Sequence, residues 1–266
     1  MFNTNKNNIL HIGILGAMQE EIGKTIDNLL NVKETIYGDL KIFSGEYKVN
    51  DQDSTRLYIT ITWSGWGKVC SSRAATRLIG TKYKESQIDF ILFTGVAGSL
   101  SNELNQWDIV VPKKLVQYDL DARPFFNKFI IPSLNKDYLT PKEIWYEWIM
   151  NSIKKGINKK ELKNIKKIHN GLIGTGDKFL SKDVDILELK KNLPKIIAVE
   201  MEGAAVAQVA EQENIPWIIL RVISDSADDS AANDFSKFIS IYSQSSWHII
   251  KNILINFENC PKFNKH

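Results

Sequence analysis

Ile196-Ile197-Ala198-Val199-Glu200-Met201-Glu202-Gly203-Ala204-Ala205 decides how the rest of the chain is read. Four apolar residues run straight into two carboxylates at i and i+2, and the small residues that follow suit the start of a helix. A buried strand ending in acid is costly unless the charge meets a ligand or a hydrogen-bond donor, because an unpaired carboxylate resists desolvation. In open α/β sheets, ligands bind just beyond the carboxyl ends of strands, and Glu200 and Glu202 would sit there. The pattern returns further on: Trp217-Ile218-Ile219-Leu220-Arg221-Val222-Ile223 is a second apolar run, and it ends in Ser224-Asp225-Ser226-Ala227-Asp228-Asp229. Two neighbouring strands would aim their acids at one cleft.

The N-terminal side repeats this theme. Residues 9–15 read as a short buried strand, which Gly16-Ala17-Met18 turns into a helix carrying Gln19-Glu20-Glu21 in its first turn. Acids there can simply compensate the helix dipole, but the turn also faces the ligand side of a sheet. Residues 40–47 and 56–63 look like a hairpin around the polar Asn50-Asp51-Gln52-Asp53. Ser64-Gly65-Trp66-Gly67-Lys68-Val69 is a glycine turn opening a helix over residues 69–83. Its glycines fit either a close backbone approach to a small ligand or a plain turn, and P-loop spacing is absent. Residues 88–93 form a third apolar strand, closed by Thr94-Gly95-Val96-Ala97-Gly98-Ser99-Leu100, whose glycines and small neighbours let backbone amides approach a sugar or base edge. There is no GxGxxG helix start, so a dinucleotide fingerprint is not supported.

Residues 107–117 read as another strand, followed by the loop Tyr118-Asp119-Leu120-Asp121-Ala122-Arg123-Pro124-Phe125-Phe126. Acids, arginine and aromatics beside a proline fit a binding lip or a subunit contact, or a solvated loop with one buried aromatic. Residues 141–155 have helical apolar spacing at Ile144, Trp145, Trp148, Ile149 and Ile153, which is core packing. The lysine run over residues 159–167, interrupted by Leu162 and Ile165, reads as a solvated helical face. It lacks the stacking aromatics of a nucleic-acid surface. Gly171 to Leu180 is a strand ending in a loop that presents Phe179, either to stack on a purine or to fill the core. A helix follows Glu202, and a long C-terminal one covers about residues 235–255.

The chain has 266 residues, enough for one large α/β domain, and no linker or internal repeat stands out. The expected organisation is a single domain over residues 1–266, with residues 1–10 as a polar N-terminal extension. An apolar fraction of 43% and a charged fraction of 24% are ordinary for a globular protein. A net charge of +3, from 34 bases and 31 acids, is too balanced to imply nucleic acid. The two cysteines, Cys70 and Cys260, have no metal or redox spacing and suit a reducing cytoplasm. No segment has the apolar length of a membrane span or signal core.

Four segments together resemble one family. Gly16-Ala17-Met18-Gln19-Glu20-Glu21, Thr94-Gly95-Val96-Ala97-Gly98, Val199-Glu200-Met201-Glu202 and Ser224-Asp225-Ser226-Ala227-Asp228 are similar, in order and spacing, to the 5'-methylthioadenosine/S-adenosylhomocysteine nucleosidases of the nucleoside phosphorylase superfamily. The likeness covers about residues 12–255. It implies an α/β fold, a three-layer α/β/α sandwich around a mixed, partly closed sheet, and a cytoplasmic homodimer acting on a purine nucleoside. No metal or organic cofactor is implied, and neither a nucleic acid nor a membrane is an expected partner. By the same likeness, Asp225 protonates N7 of adenine with Ser224 orienting it, Glu21 activates the attacking water with help from Arg221, and Glu202 binds the ribose hydroxyls. Met201 packs under the sugar beside Glu200, with Ala97 and Gly98 close by. Phe179 stacks on adenine, the backbone of Leu180 contacts the base, and Trp66 and Phe235 line the ribose and 5'-alkylthio pocket. Phe125 reaches in from the partner subunit.

Elementary chemistry agrees with those roles. Breaking an N-glycosidic bond leaves positive charge on the ribose and negative charge on the purine, so the site needs an acid at the base and anions beside the sugar. The sequence departs from the family pattern at Val96, where serine is common, at Trp66, which is larger than the usual aliphatic residue, and in the lip with Arg123-Pro124. Two rivals remain. A purine nucleoside phosphorylase needs amides and arginines for phosphate where this chain offers Gln19-Glu20-Glu21, and a futalosine-type nucleosidase shares the Gly203-Ala204-Ala205 segment. A non-catalytic nucleoside-binding protein would not require a proton donor opposite a water activator.

Overall fold

The computed structural model describes residues 9–49, 56–228 and 231–262. Residues 1–8 of the polar extension, the hairpin turn over residues 50–53, and Asp229 lie outside that range. The first apolar run forms β1 (His11–Gly16), buried along its whole length. It lies parallel to β4 (Arg56–Trp63) and to β5 (Phe90–Ser99). Outward from β4, β3 (Leu40–Lys48) and β2 (Leu30–Tyr37) continue the sheet antiparallel.

The other edge of β5 pairs in parallel with β11 (Trp217–Asp225). Near its end, β5 also meets β10 (Ile196–Glu200) antiparallel, and β9 (Leu172–Thr175) and β7 (Lys114–Gln117) extend that side in parallel. β6 (Ile109–Val110) joins β11 to β8 (Ile168–His169). Among the described residues this is one mixed sheet that forks at β5 and is not closed.

Strand alternation divides the apolar side chains between two layers. Ile12, Ile14, Ile59, Ile61, Ile218, Leu220 and Val222 pack on the aromatic-rich face of α3 (Glu143–Asn158) and α6 (Ala231–Leu254). There the Phe90 and Trp145 rings stack at 4.5 Å. Leu15, Ile91, Phe93, Ile219 and Ile223 face the other way, onto the small residues of α2 (Lys68–Gly80) and α5 (Gly203–Gln212). Short α1 (Gln19–Ile22) sits against α6, and α4 (Asp183–Asn192) covers β9 and β10 through Ile186 and Leu189. All nine positions of β11 are buried, and each large aliphatic side chain there stabilises the fold by about 1.5–3 kcal/mol.

Several expectations are corrected. The strand over residues 107–117 is two strands, because Pro112 lies between them and has no N–H for a ladder. The glycine segment after Phe93 is not a closing turn; β5 runs through it to Ser99. The lysine run over residues 159–167 is not helical: α3 stops at Asn158, Lys160 takes a positive φ of 58°, and Leu162 and Ile165 are tucked into the core. The C-terminal helix starts at Ala231, ahead of Phe235, and α2 ends at Gly80, short of Tyr83. Nothing in the sequence reading anticipated β2 or α4.

One irregularity positions a residue expected at the site. Ile223 pairs with Ala97 and Asp225 with Gly98, so β11 carries an extra residue, Ser224, opposite a single step of β5. Such a bulge bends a strand and re-aims its side chains.

Candidate active site

Glu21 enters the site from the first turn of α1 and is buried. Its Oε2 accepts the backbone N–H of Ala17 at 2.5 Å and of Met18 at 3.0 Å, and its Oε1 accepts that of Val96 at 3.0 Å. Burial pushes its pKa up, while the Arg221 charge and those three amides pull it back toward the ionised form. The close fit explains Gly95: a Cβ there would run into the Glu21 carboxylate and the Arg221 guanidinium.

Arg221 is 1% exposed in the middle of β11 and stacks over Phe93 at 4.0 Å. Its ion pair is with Glu200, Nη2 to Oε2, at 2.7 Å, while Nε and Nη1 find no hydrogen-bond partner among the described residues. The direct partner of this arginine is therefore Glu200, and Glu21 feels it as a neighbouring charge. Glu200 also accepts Thr175 Oγ1, the N–H of Glu202 at 3.0 Å and that of Gly203 at 2.6 Å. It thus holds the N-terminus of α5, where the dipole favours an anion.

Glu202 stands at the N-cap position of α5, and its Oε1 accepts the N–H of Gly67 at 2.7 Å. Burial, reinforced by the charge of Glu200, raises its pKa to about 8 against the opposing pull of Arg221. Asp225 closes β11: its Oδ2 accepts Ser224 Oγ at 2.6 Å and its Oδ1 accepts the N–H of Ala227 at 2.9 Å. Its pKa is raised by burial, with the Ser224 and Ala227 hydrogen bonds opposing. A Cβ on Gly98 would lie 2.9 Å from Asp225 Oδ1, so the carboxyl rests against bare backbone.

Glu21 and Asp225 border one open cavity of about 70 Å³. Gly95 beside the first and Gly98 beside the second are three steps apart on β5, about 10 Å along a strand. Of the residues expected at the site, the cavity wall includes Glu21, Trp66, Ala97, Gly98, Phe179, Leu180, Glu200, Met201, Glu202, Ser224, Asp225 and Phe235. Arg221 lies behind that wall, paired to Glu200. Phe125 is 87% exposed and does not border the cavity of its own chain.

Ala17, Met18, Val96, Lys178 and Val199 complete the lining. Ala17, Met18 and Val96 hold Glu21 through backbone amides, a role that their side chains do not signal, Val96 standing out in the sequence only as a departure from the family pattern. Among the described residues no group of three or more His, Cys, Asp or Glu side chains is arranged to hold a metal ion. What the cavity offers is an anchored carboxylate near one end, a protonatable carboxyl near the other, and aromatic rings along the wall.

Residues 11–255 match the model of the Phosphorylase superfamily. A 5'-methylthioadenosine/S-adenosylhomocysteine nucleosidase of Buchnera aphidicola subsp. Acyrthosiphon pisum is 37% identical over 251 residues, which span 93% of this chain and 98% of that protein. The structure of the corresponding nucleosidase from Colwellia psychrerythraea 34H in complex with adenine superposes with a TM-score of 0.79 at 30% identity, covering 94% of this chain and 96% of that one. Futalosine hydrolase of Helicobacter pylori superposes at 0.77 with 29% identity, covering 92% and 97%.

Proposed function

This chain belongs to the 5'-methylthioadenosine/S-adenosylhomocysteine nucleosidases of the Phosphorylase superfamily, and on that footing we propose that it hydrolyses the N-glycosidic bond of methylthioadenosine and S-adenosylhomocysteine, releasing adenine and the 5'-thio-ribose. The observation that carries the reading is the pairing of two unlike carboxyls in one cavity. Burial raises the pKa of both, but Glu21 is held by three backbone amides beside the Arg221 charge, as suits an ionised base, whereas Asp225 has one amide, the Ser224 hydroxyl and the like charges of Asp228 and Asp234 around it, as suits an acid.

Asp225 gives its proton to N7 of the adenine as the bond from C1' to N9 breaks and its electron pair passes to the purine. Water attacks C1', forming the new C–O bond, and Glu21 takes the proton that water sheds. Glu202 accepts hydrogen bonds from the ribose hydroxyls, and the carboxylates of Glu21 and Glu200 favour the positive charge that builds on the sugar. Phe179 stacks on the base, with Leu180 against its edge.

The protein acts as a homodimer in which Phe125 of each subunit reaches the site of the other, a reading supported by the large apolar ring that each chain leaves in solvent. Its place is methionine salvage in the cytoplasm, and the two free cysteines, Cys70 and Cys260, suit that reducing compartment. No helix among the described residues is long and apolar enough to cross a membrane. A futalosine-type activity is the second reading, favoured by the likeness to futalosine hydrolase.

Adenine release from methylthioadenosine, adenosylhomocysteine, 5'-deoxyadenosine and aminodeoxyfutalosine, with and without phosphate, tests both. Release from the first two without phosphate is expected, and strict phosphate dependence overturns hydrolysis. Asp225→Asn should lower kcat by about 10²–10⁴-fold with the circular-dichroism melt preserved, and Glu21→Gln should still bind nucleoside while losing turnover. Near-normal turnover in either variant refutes the role assigned to it.

A further inference from the structure

We propose that Asp177, with Lys68 and Asp119, positions the Glu202 carboxyl by locking the turn whose Gly67 amide grips it, and so sets how tightly the sugar end of a nucleoside is held. The inference rests on the nucleosidase reading above and adds to it residues that act through another side chain. None of the three is among the residues that line the cavity.

Glu202 Oε1 accepts the Gly67 N–H at 2.7 Å, so the carboxyl is placed by that turn. Gly67 is the N-cap of α2 at a φ of 90°, a conformation that suits glycine, and it has no side chain with which to cap the helix. The cap comes from far along the chain. Asp177 Oδ1 accepts the N–H of Lys68, the first residue of α2, at 2.7 Å, where an otherwise unpaired amide and the helix dipole both favour an anion. A Cβ on Gly67 would lie 2.9 Å from that same oxygen, so the Asp177 carboxylate rests against the residue that holds Glu202.

Asp177 is itself held. Its N–H donates to Asp119 Oδ2 at 2.9 Å, and Asp119 Oδ1 pairs with Lys68 Nζ at 2.6 Å. The ring is closed: the Lys68 main chain to Asp177, the Asp177 main chain to Asp119, and Asp119 to the Lys68 side chain. It joins the loops that follow β4, β7 and β9. The last of these is also tied toward the site, since the Gly176 N–H donates to the Glu200 carbonyl at 3.1 Å, and a Cβ on Gly176 would run into the Tyr118 ring. The Lys68 and Asp119 side chains are 18% and 31% exposed, and pairs so placed add little to stability. What the ring supplies is geometry. Without it the Gly67 amide drifts, and Glu202, set among the charges of Glu200, Arg221 and Glu21, loses the donor that aims it.

The test measures KM and kcat for methylthioadenosine, and the inhibition constant of adenine, in the wild type, Asp177→Ala, Asp177→Asn and Lys68→Met, all in the full chain. Adenine has no sugar for Glu202 to hold, so a lock on Glu202 leaves its binding alone, whereas general damage to the fold weakens both ligands. Asp177→Ala should raise KM about tenfold, with kcat changed less and adenine held as in the wild type. Asp177→Asn should recover most of the loss, because its amide oxygen can accept the Lys68 N–H, and Lys68→Met should raise KM about threefold. An unchanged KM in Asp177→Ala, or KM and the adenine constant rising together, overturns the proposal and leaves the nucleosidase reading intact. If Asp177→Ala is recovered unfolded, the same comparison in Lys68→Met decides in the same way. Absence of adenine release by the wild type strikes the nucleosidase reading itself, and this inference with it.

Discussion

Glu202 illustrates what a buried carboxyl does to stability. Its pKa stands at about 8 in the folded chain against 4.5 for an ordinary glutamate, mainly through burial and then through the charge of Glu200. The folded state therefore holds this proton more tightly than the unfolded state. The stabilisation is complete below about pH 4.5 and is lost as pH rises through about 8. Glu21 and Asp225, also raised, act in the same direction. We expect the urea midpoint of the wild type to fall between about pH 5 and pH 8. Glu202→Gln should fall less and be the more stable protein at the upper end, because its amide oxygen can still accept the Gly67 N–H. A steeper loss in the variant than in the wild type would remove Glu202 from this account. The acids themselves were legible in the sequence, since a carboxylate after a buried apolar run demands an explanation. The groups that hold them were not: backbone amides from Ala17, Met18, Val96 and Gly67 carry no residue signature.

Among the elements, β5 carries the site because it has no side chain where the acids need room. Gly95→Ala should cost about 1–3 kcal/mol by overpacking and push Glu21 off its amides, so adenine release should fall with stability. Gly80→Ala is the control: nothing lies within 4 Å of its Cβ position on α2, and the change should stabilise the helix by about 0.5–1 kcal/mol. Equal effects of the two substitutions in chemical denaturation and turnover would mean that Gly95 is ordinary. The same glycines explain a misreading. Thr94 to Gly98 looks like a turn because glycine weakens strands, yet the segment stays extended because β1 and β10 pair with one edge of β5 and β11 with the other. The strands β1, β10 and β11 were legible as dense apolar runs. β2 was not, since Leu30–Tyr37 is a largely exposed, polar edge that exists through its pairing with β3. The lysines of residues 159–167 suggested a helical face, but the positive φ at Lys160 ends α3 beforehand.

Assembly is testable through Phe125, whose ring is left in solvent while Val184 and Leu187 stand exposed on α4. If each site borrows this ring from the other subunit, Asp225→Asn and Phe125→Ala carry lesions that one mixed dimer separates. Such a dimer has one doubly damaged site and one undamaged site. Mixing the two proteins in equal amounts under exchange should then give about a quarter of wild-type turnover, above the mean of the parents. Activity equal to that mean would show that Phe125 serves neither site. The bulge at the end of β11 reaches furthest. Consecutive residues on a regular strand point to opposite faces, yet Ser224 donates a hydrogen bond to the very next side chain, Asp225. The extra link in the chain is what lets the two share a face. Loss of the Ser224 codon would straighten the ladder, take away that hydroxyl and re-aim the carboxyl that follows it, so that breaking a nucleoside and merely holding one lie one short deletion apart in evolution.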